Sequence, residues 1–223
     1  MAQMTQTAPN QAASMIENEV PARAHSASLV DWILANRKRL LALLVVLLLA
    51  LASLAVVQSR QSAAAARASE AFYEATRAEA GSDAAVAAYQ KVAQSWPGTH
   101  AAWDALMALG DLEAKKDPKG AKASEWFEKA DAQASDARDK LIARYSAAYS
   151  REAEGKLELA LAHVESAQRL GLPHLKGELA LARARLLDRL GKKDEAVQAY
   201  DAILKDFAGT ETARTAEGWK AAR

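Results

Sequence analysis

Four histidines and no cysteine set the first limit on the chemistry this 223-residue chain can carry. The missing cysteines exclude a thiolate nucleophile, a thiolate metal site, a disulfide and a lipid-modified N-terminal cysteine. His25, His100, His163 and His174 lie in separate segments with no His-x-x-x-His pair, so no metal site is expected. Carboxylates such as Asp111, Glu113, Asp188 and Asp194 are numerous, with abundant Lys and Arg nearby, which is the composition of solvated and paired helix faces rather than of acid/base catalysts. Neither a Gly-x-Gly-x-x-Gly loop, a Gly-x-x-x-x-Gly-Lys-Ser/Thr loop nor a Gly-x-Ser-x-Gly elbow occurs. No cofactor and no enzymatic role are therefore expected. Four of the 29 Lys/Arg and three of the 28 Asp/Glu precede Gln58, leaving 25 of each in the remainder and no basic footprint for nucleic acid. What is left is noncovalent recognition; Tyr145 and Tyr149 sit one helical turn apart, the spacing either of an aromatic strip or of two residues packed against the adjacent hairpin.

The elements that position these residues must be helices. Alanine supplies 55 residues, against ten glycines, five prolines and three asparagines. So few turn formers disfavour an all-β or a doubly wound fold.

From Leu40 to Val57 the chain runs eighteen residues without a charge: nine Leu, four Val, four Ala and Ser53. At 1.5 Å per residue such a helix covers roughly 27 Å, close to the hydrocarbon thickness of a bilayer. A transmembrane helix over residues 40–58 is predicted. Trp32 sits where an interface accepts its ring, and Arg37, Lys38 and Arg39 abut the apolar run, whereas only Arg60 and Arg67 follow it closely. This bias places residues 1–39 in the cytoplasm and residues 59–223 across the membrane. Ala50-Leu51-Ala52 and Ser53-Leu54-Ala55 resemble cleavage sites, so a cleaved signal peptide is the competing reading, against which the length of the apolar core and its distance from the N-terminus speak. Residues 1 to about 26 are rich in Gln, Ala, Ser and Thr and read as disordered. Ser28 to Asn36 reads either as a short interfacial helix or as an extension of the anchor.

Past the membrane the chain repeats itself. Gly155, Ala160 and Val164 align with Gly191, Ala196 and Tyr200 without a gap, 36 residues apart. Looser copies carry Ala85, Tyr89 and Val92, then Ala123, Phe127 and Ala130, so the small residue (Ala85, Ala123, Ala160, Ala196) steps by 38, 37 and 36. The bulky residue (Tyr89, Phe127, Val164, Tyr200) follows the same steps. Each unit reads as a helical hairpin whose small residue lets the two helices approach and whose bulky residue fills the adjoining groove. A lone hairpin cannot bury its apolar stripe, so the hairpins must stack into an α-solenoid. Residues 209–223, with Ala213, Ala216, Trp219 and Ala222 at helical spacing, read as a capping helix.

These residues resemble the tetratricopeptide repeat, whose second half runs Gly-x-x-x-x-Ala-x-x-x-Tyr/Phe-x-x-Ala-x-x-x-x-Pro. Gly191, Ala196 and Tyr200 match, as do Gly155, Ala160 and Ala167, and Ala85, Tyr89 and Pro97, while Leu109-Gly110 is similar to the Leu-Gly pair of the family's first helix. Ala208 stands in place of the last proline, and Arg183-Ala184 and Ala147-Ala148 replace the Leu-Gly pair. The resemblance implies an all-α solenoid of about four hairpins with a concave protein-binding groove on the first helices. Carried onto this chain, the groove positions are Asp104, Met107, Asp111, Tyr145, Tyr149, Leu181, Arg185 and Arg189.

The order of a short tail, one span, an Ala-rich helix from Ser59 to Ala80 and then repeats is similar to the YfgM-like family of ancillary subunits of the bacterial Sec translocon, and Ser69-Glu-Ala-Phe-Tyr73 resembles the start of that family's soluble domain. That resemblance implies a single-pass protein of the inner membrane with a periplasmic repeat domain, associated with SecYEG, a PpiD-type foldase and periplasmic chaperones. An envelope scaffold for cell-wall, division or secretion machinery is the alternative. Oligomeric state and partner identity are not encoded in these motifs.

Overall fold

The computed structural model describes residues 22–222 apart from Ala80 and His174. Every regular element among the described residues is an α-helix: α1 (Ala22–Thr76), α2 (Asp83–Ser95), α3 (His100–Lys116), α4 (Lys122–Gln133), α5 (Ala137–Ala153), α6 (Leu157–Gln168), α7 (Lys176–Arg189), α8 (Lys193–Asp206) and α9 (Glu211–Ala221). The chain divides into two compact units between Ser59 and Arg60.

The first unit, where described, is helical throughout. Most of the tail read as disordered lies outside the described residues, but α1 begins at Ala22, so residues 22–26 are helical. The segment from Ser28 to Asn36 is continuous with α1 and forms no separate helix. Within α1, residues Leu29–Thr76 form a helix long and apolar enough to cross a membrane. Its Leu and Val side chains are exposed, which in water would be an uncompensated apolar surface. Ser53 donates its hydroxyl to the Leu49 carbonyl at 2.8 Å, so this lone polar side chain of the apolar run is satisfied within the helix.

In the second unit, α1 contributes its last turns, ending at Thr76 rather than Ala80, and each later helix packs on the next in sequence. Ala85, Ala123, Ala160 and Ala196 lie buried on α2, α4, α6 and α8. Phe127, Val164 and Tyr200 are buried one turn further on, and Tyr89 is half-buried against the Phe72 ring, 5.7 Å between centroids. These four alanines are almost fully buried, as a close approach of packed helices requires. Gly110 shows the same principle from the first helix: a Cβ there would collide with the Phe127 ring. Leu141, Leu179, Leu186, Leu187 and Tyr200 form one buried cluster across α5 to α9. Trp103, Leu106, Val92 and Ala68 form another, from the end of α1 to α5.

The turns within the last two full hairpins are one structure used twice. Gly155 has φ 80° and Gly191 φ 75°. Lys156 N–H donates to the Arg151 carbonyl at 2.9 Å and Lys192 N–H to the Leu187 carbonyl at 3.0 Å, closing both helices in Schellman fashion. No atom lies within 4 Å of an added Cβ at either position, so backbone conformation and not space selects glycine.

Candidate protein-binding face

The first helices of the successive hairpins are the end of α1, α3, α5 and α7, with α9 standing in the same position after α8. Among the described residues, the exposed large apolar side chains of the second unit are Tyr73, Ile142, Tyr149, Leu159 and Trp219, and all but Leu159 belong to these first helices. Exposed apolar surface is thus concentrated on one class of helix. Tyr149 is 67% exposed and Tyr73 60%.

On α3, Asp104 is half-buried with its carboxylate 3.7 Å from His100 Nε2. His100 Nδ1 lies 3.2 Å from the buried Asp139 of α5, and its ring stacks on Trp103 at 5.4 Å. Burial, opposed by His100 and reinforced by Asp139, raises the Asp104 carboxyl above its usual range. Met107 is half-buried and packs under the surface against the Trp103 and Phe127 clusters, while Asp111 is exposed.

On α5 and α7 the sequence-assigned residues converge. Tyr145 and Leu181 are half-buried against the larger core cluster, so part of the expected aromatic strip serves packing. Tyr149, one turn further along α5, remains exposed. Arg185 Nη2 donates to Glu152 Oε2 at 2.6 Å and Arg189 Nη1 to Glu152 Oε1 at 2.5 Å, so two guanidinium groups close on one carboxylate. The Arg185 guanidinium also lies 5.7 Å from the centre of the Trp219 ring of α9. Burial raises the Tyr145 phenol above its usual value, with Arg185 opposing and Glu178, Glu152 and Tyr149 reinforcing. Tyr145, Tyr149, Arg185 and Arg189 therefore share one electrostatic neighbourhood, and Asp104 belongs to another, around His100.

Glu152 and Trp219 join this neighbourhood without having been singled out as binding residues. Glu152 carries a legible signal, since it continues the Tyr145, Tyr149 stripe at helical spacing. Trp219 carried only a cap signal, because its approach to Arg185 requires α9 to pack beside α7, which it does.

A family model described as a tetratricopeptide repeat-like domain matches residues 31–217. The chain belongs to this tetratricopeptide repeat-like family. No curated protein matches it. Tetratricopeptide repeat-like domains are typically non-catalytic scaffolds for protein–protein interaction, and the concentration of exposed aromatics on first helices is the surface such a role uses.

Proposed function

We propose that this tetratricopeptide repeat-like chain is a single-pass membrane protein whose repeat domain holds other polypeptides on its first-helix face. The observation that carries the reading is the exposure of Tyr73, Tyr149 and Trp219 on first helices in a chain that also has a helix apolar enough to span a bilayer. Residues 40–58 cross the membrane, residues 1–39 are cytoplasmic and residues 59–223 form the binding domain. The Arg37, Lys38 and Arg39 flank supports that orientation. Asp104, Met107, Asp111, Tyr145, Tyr149, Leu181, Arg185 and Arg189 line or support the groove.

The similarity of layout to the YfgM-like family supports an inner-membrane location with the repeats in the periplasm, and partners among SecYEG, a PpiD-type foldase and periplasmic chaperones. A photo-crosslinking amino acid at Tyr149, activated in intact membranes, tests the reading. Adducts with translocon or foldase subunits support it. Adducts dominated by wall-synthesis or division proteins transfer the domain to envelope assembly, and the absence of any protein adduct sinks the scaffold reading.

A further inference from the structure

The N-terminal turns of α1 carry apolar side chains that lie beyond the reach of a bilayer. Leu29, Val30, Trp32, Ile33 and Leu34 are all exposed, and Arg37, Lys38 and Arg39 separate them from the uncharged run that starts at Leu40. With residues 40–58 as the span proposed above, the helix rise puts residues 29–34 about 9 to 16 Å outside the hydrocarbon. The interfacial layer is only roughly 5 to 7 Å deep on each side, and a tilt of about 20° changes this little. α1 is one unbroken helix from Ala22 to Thr76 without proline or glycine, so it has no hinge at which these turns could fold onto the bilayer surface. Water would face them unless another helix does.

Charge decides which side of α1 that helix can occupy. A seam with the alternating four- and three-residue spacing of a two-helix coil can be laid along Leu29 to Val57 in seven frames. Six of them meet at least one of Asp31, Arg37, Lys38 and Arg39. The remaining frame meets no charge: it runs from Leu29 through Ile33, Asn36, Leu40 and Leu43 to Val57. It joins the uncovered turns to the apolar run in one stripe about 42 Å long, so its occupant must be a helix of matching length and depth. Every copy of this chain inserted in a membrane has the same orientation and presents the same stripe at the same depth, with its own Leu29 and Ile33 uncovered.

From this we infer that α1 pairs with α1 of a second copy, parallel and in register along this seam. The residues bordering it agree with that geometry. Trp32 and Arg37 flank the seam on opposite sides five residues apart, the spacing that crosses between the helices of a parallel pair, so each Trp32 ring meets the Arg37 guanidinium of the second copy. Asn36, whose Nδ2 donates to the Trp32 carbonyl at 2.9 Å, meets its own counterpart across the seam, and a single polar seam residue of this kind fixes register. Lys38 lies on the side away from the seam, which limits repulsion between the two basic flanks.

The pairing rests on the membrane reading of residues 40–58, and its test separates the two. Because the chain has no cysteine, single cysteines report contacts without background. Ile33→Cys, Asn36→Cys and Leu43→Cys on the seam, and Asp31→Cys, Lys38→Cys and Val45→Cys on the opposite side, are introduced one at a time into the full-length chain and oxidised in native membranes. Seam cysteines should give a disulfide-linked species of twice the 23.9 kDa chain. The outer cysteines should not, since a helix about 10 Å across holds their Cα atoms well beyond the ~7 Å limit of a disulfide. Ile33→Asp added to Leu43→Cys should lower the dimer yield about tenfold by opposing two carboxylates, while Leu34→Asp, off the seam, should leave it unchanged.

Equal cross-linking on the two sides, no dimer at any position, indifference to Ile33→Asp, or a product joining this chain to a different protein would overturn the pairing. Alkaline carbonate extraction distinguishes the two failures. A chain released into the supernatant removes the span and the pair together, whereas a chain that stays in the membrane with any of those results removes the pair alone.

Discussion

Glu154 is held where hairpins meet, with its side chain 2% exposed, and it accepts hydrogen bonds from Arg151 at 2.9 Å and from Ser124 while Lys156 lies 2.9 Å away. Arg151 in turn grips Glu128 at 2.7 Å, and Glu128 lies 3.1 Å from His163. Burial pushes the Glu154 carboxyl up, but Ser124, Lys156 and Arg151 outweigh it and the net displacement is downward. A carboxyl lowered on folding contributes stability above its unfolded value near 4.5, and that contribution is lost as pH falls through the lower folded value. Glu154→Gln should therefore destabilise the repeat domain by about 1.5 to 3 kcal/mol at neutral pH, because Arg151 and Ser124 lose a charged acceptor while Arg151 keeps Glu128. The deficit should shrink in acid, and urea melts at neutral pH and at about pH 4 measure both; an equal deficit at the two values refutes the ionic account. Tyr200, fully buried one turn after Ala196 on α8, gives a second case. Tyr200→Ala should cost roughly 3 to 5 kcal/mol by cavity formation. Ala196→Leu should cost about 1 to 3 kcal/mol by overpacking. Unchanged melting of both variants would put the hairpin register in error.

The hairpin is the element on which the fold depends, and its turn is set by backbone stereochemistry. Gly191→Ala forces an L side chain into the left-handed region and should cost about 1 to 2 kcal/mol, although its methyl group meets no neighbour. Gly110→Ala should also destabilise, for the opposite reason, since its methyl group meets the Phe127 ring in a helix of ordinary conformation. Thermal melts of the two variants, each combined with Phe127→Leu, separate the mechanisms: the smaller side chain should relieve Gly110→Ala and leave Gly191→Ala unrelieved. Much of this was legible in the chain, because Gly155 and Gly191 precede a small and a bulky residue at constant spacing. Helix beginnings were less legible. Thr99, Asp136 and Thr210 cap α3, α5 and α9 through their side chains, but α7 begins after Leu175, a non-glycine residue at φ 59° that packs against the large core cluster. No propensity rule favours leucine there, and the partial burial of its side chain against that cluster is the compensation the fold supplies.

For the whole molecule, the decisive prediction concerns sidedness. A reporter enzyme active only outside the cytoplasm, fused after Arg223, should be active, and neutralising Arg37, Lys38 and Arg39 while adding lysines after Gln58 should reduce that activity at equal expression. Activity that is absent from the original fusion would place the repeats in the cytoplasm and remove the periplasmic partners from consideration. The uncharged run from Leu40 to Val57 and the recurring small and bulky residues were readable without coordinates, since both are one-dimensional patterns: a bilayer has a fixed thickness, and a helix has a fixed period. The exposed surface of the first helices was readable only in part. Tyr145 and Tyr149 look equivalent along the chain, yet packing against the α5 to α9 cluster half-buries the first and leaves the second exposed. Likewise Glu152, Arg185, Arg189 and Trp219 lie on three helices, and only the stacking of α5, α7 and α9 brings their charges and ring together. Periodicity governs which residues share a helix face, whereas contact between helices depends on how buried volumes fit, and that is a property of the folded stack.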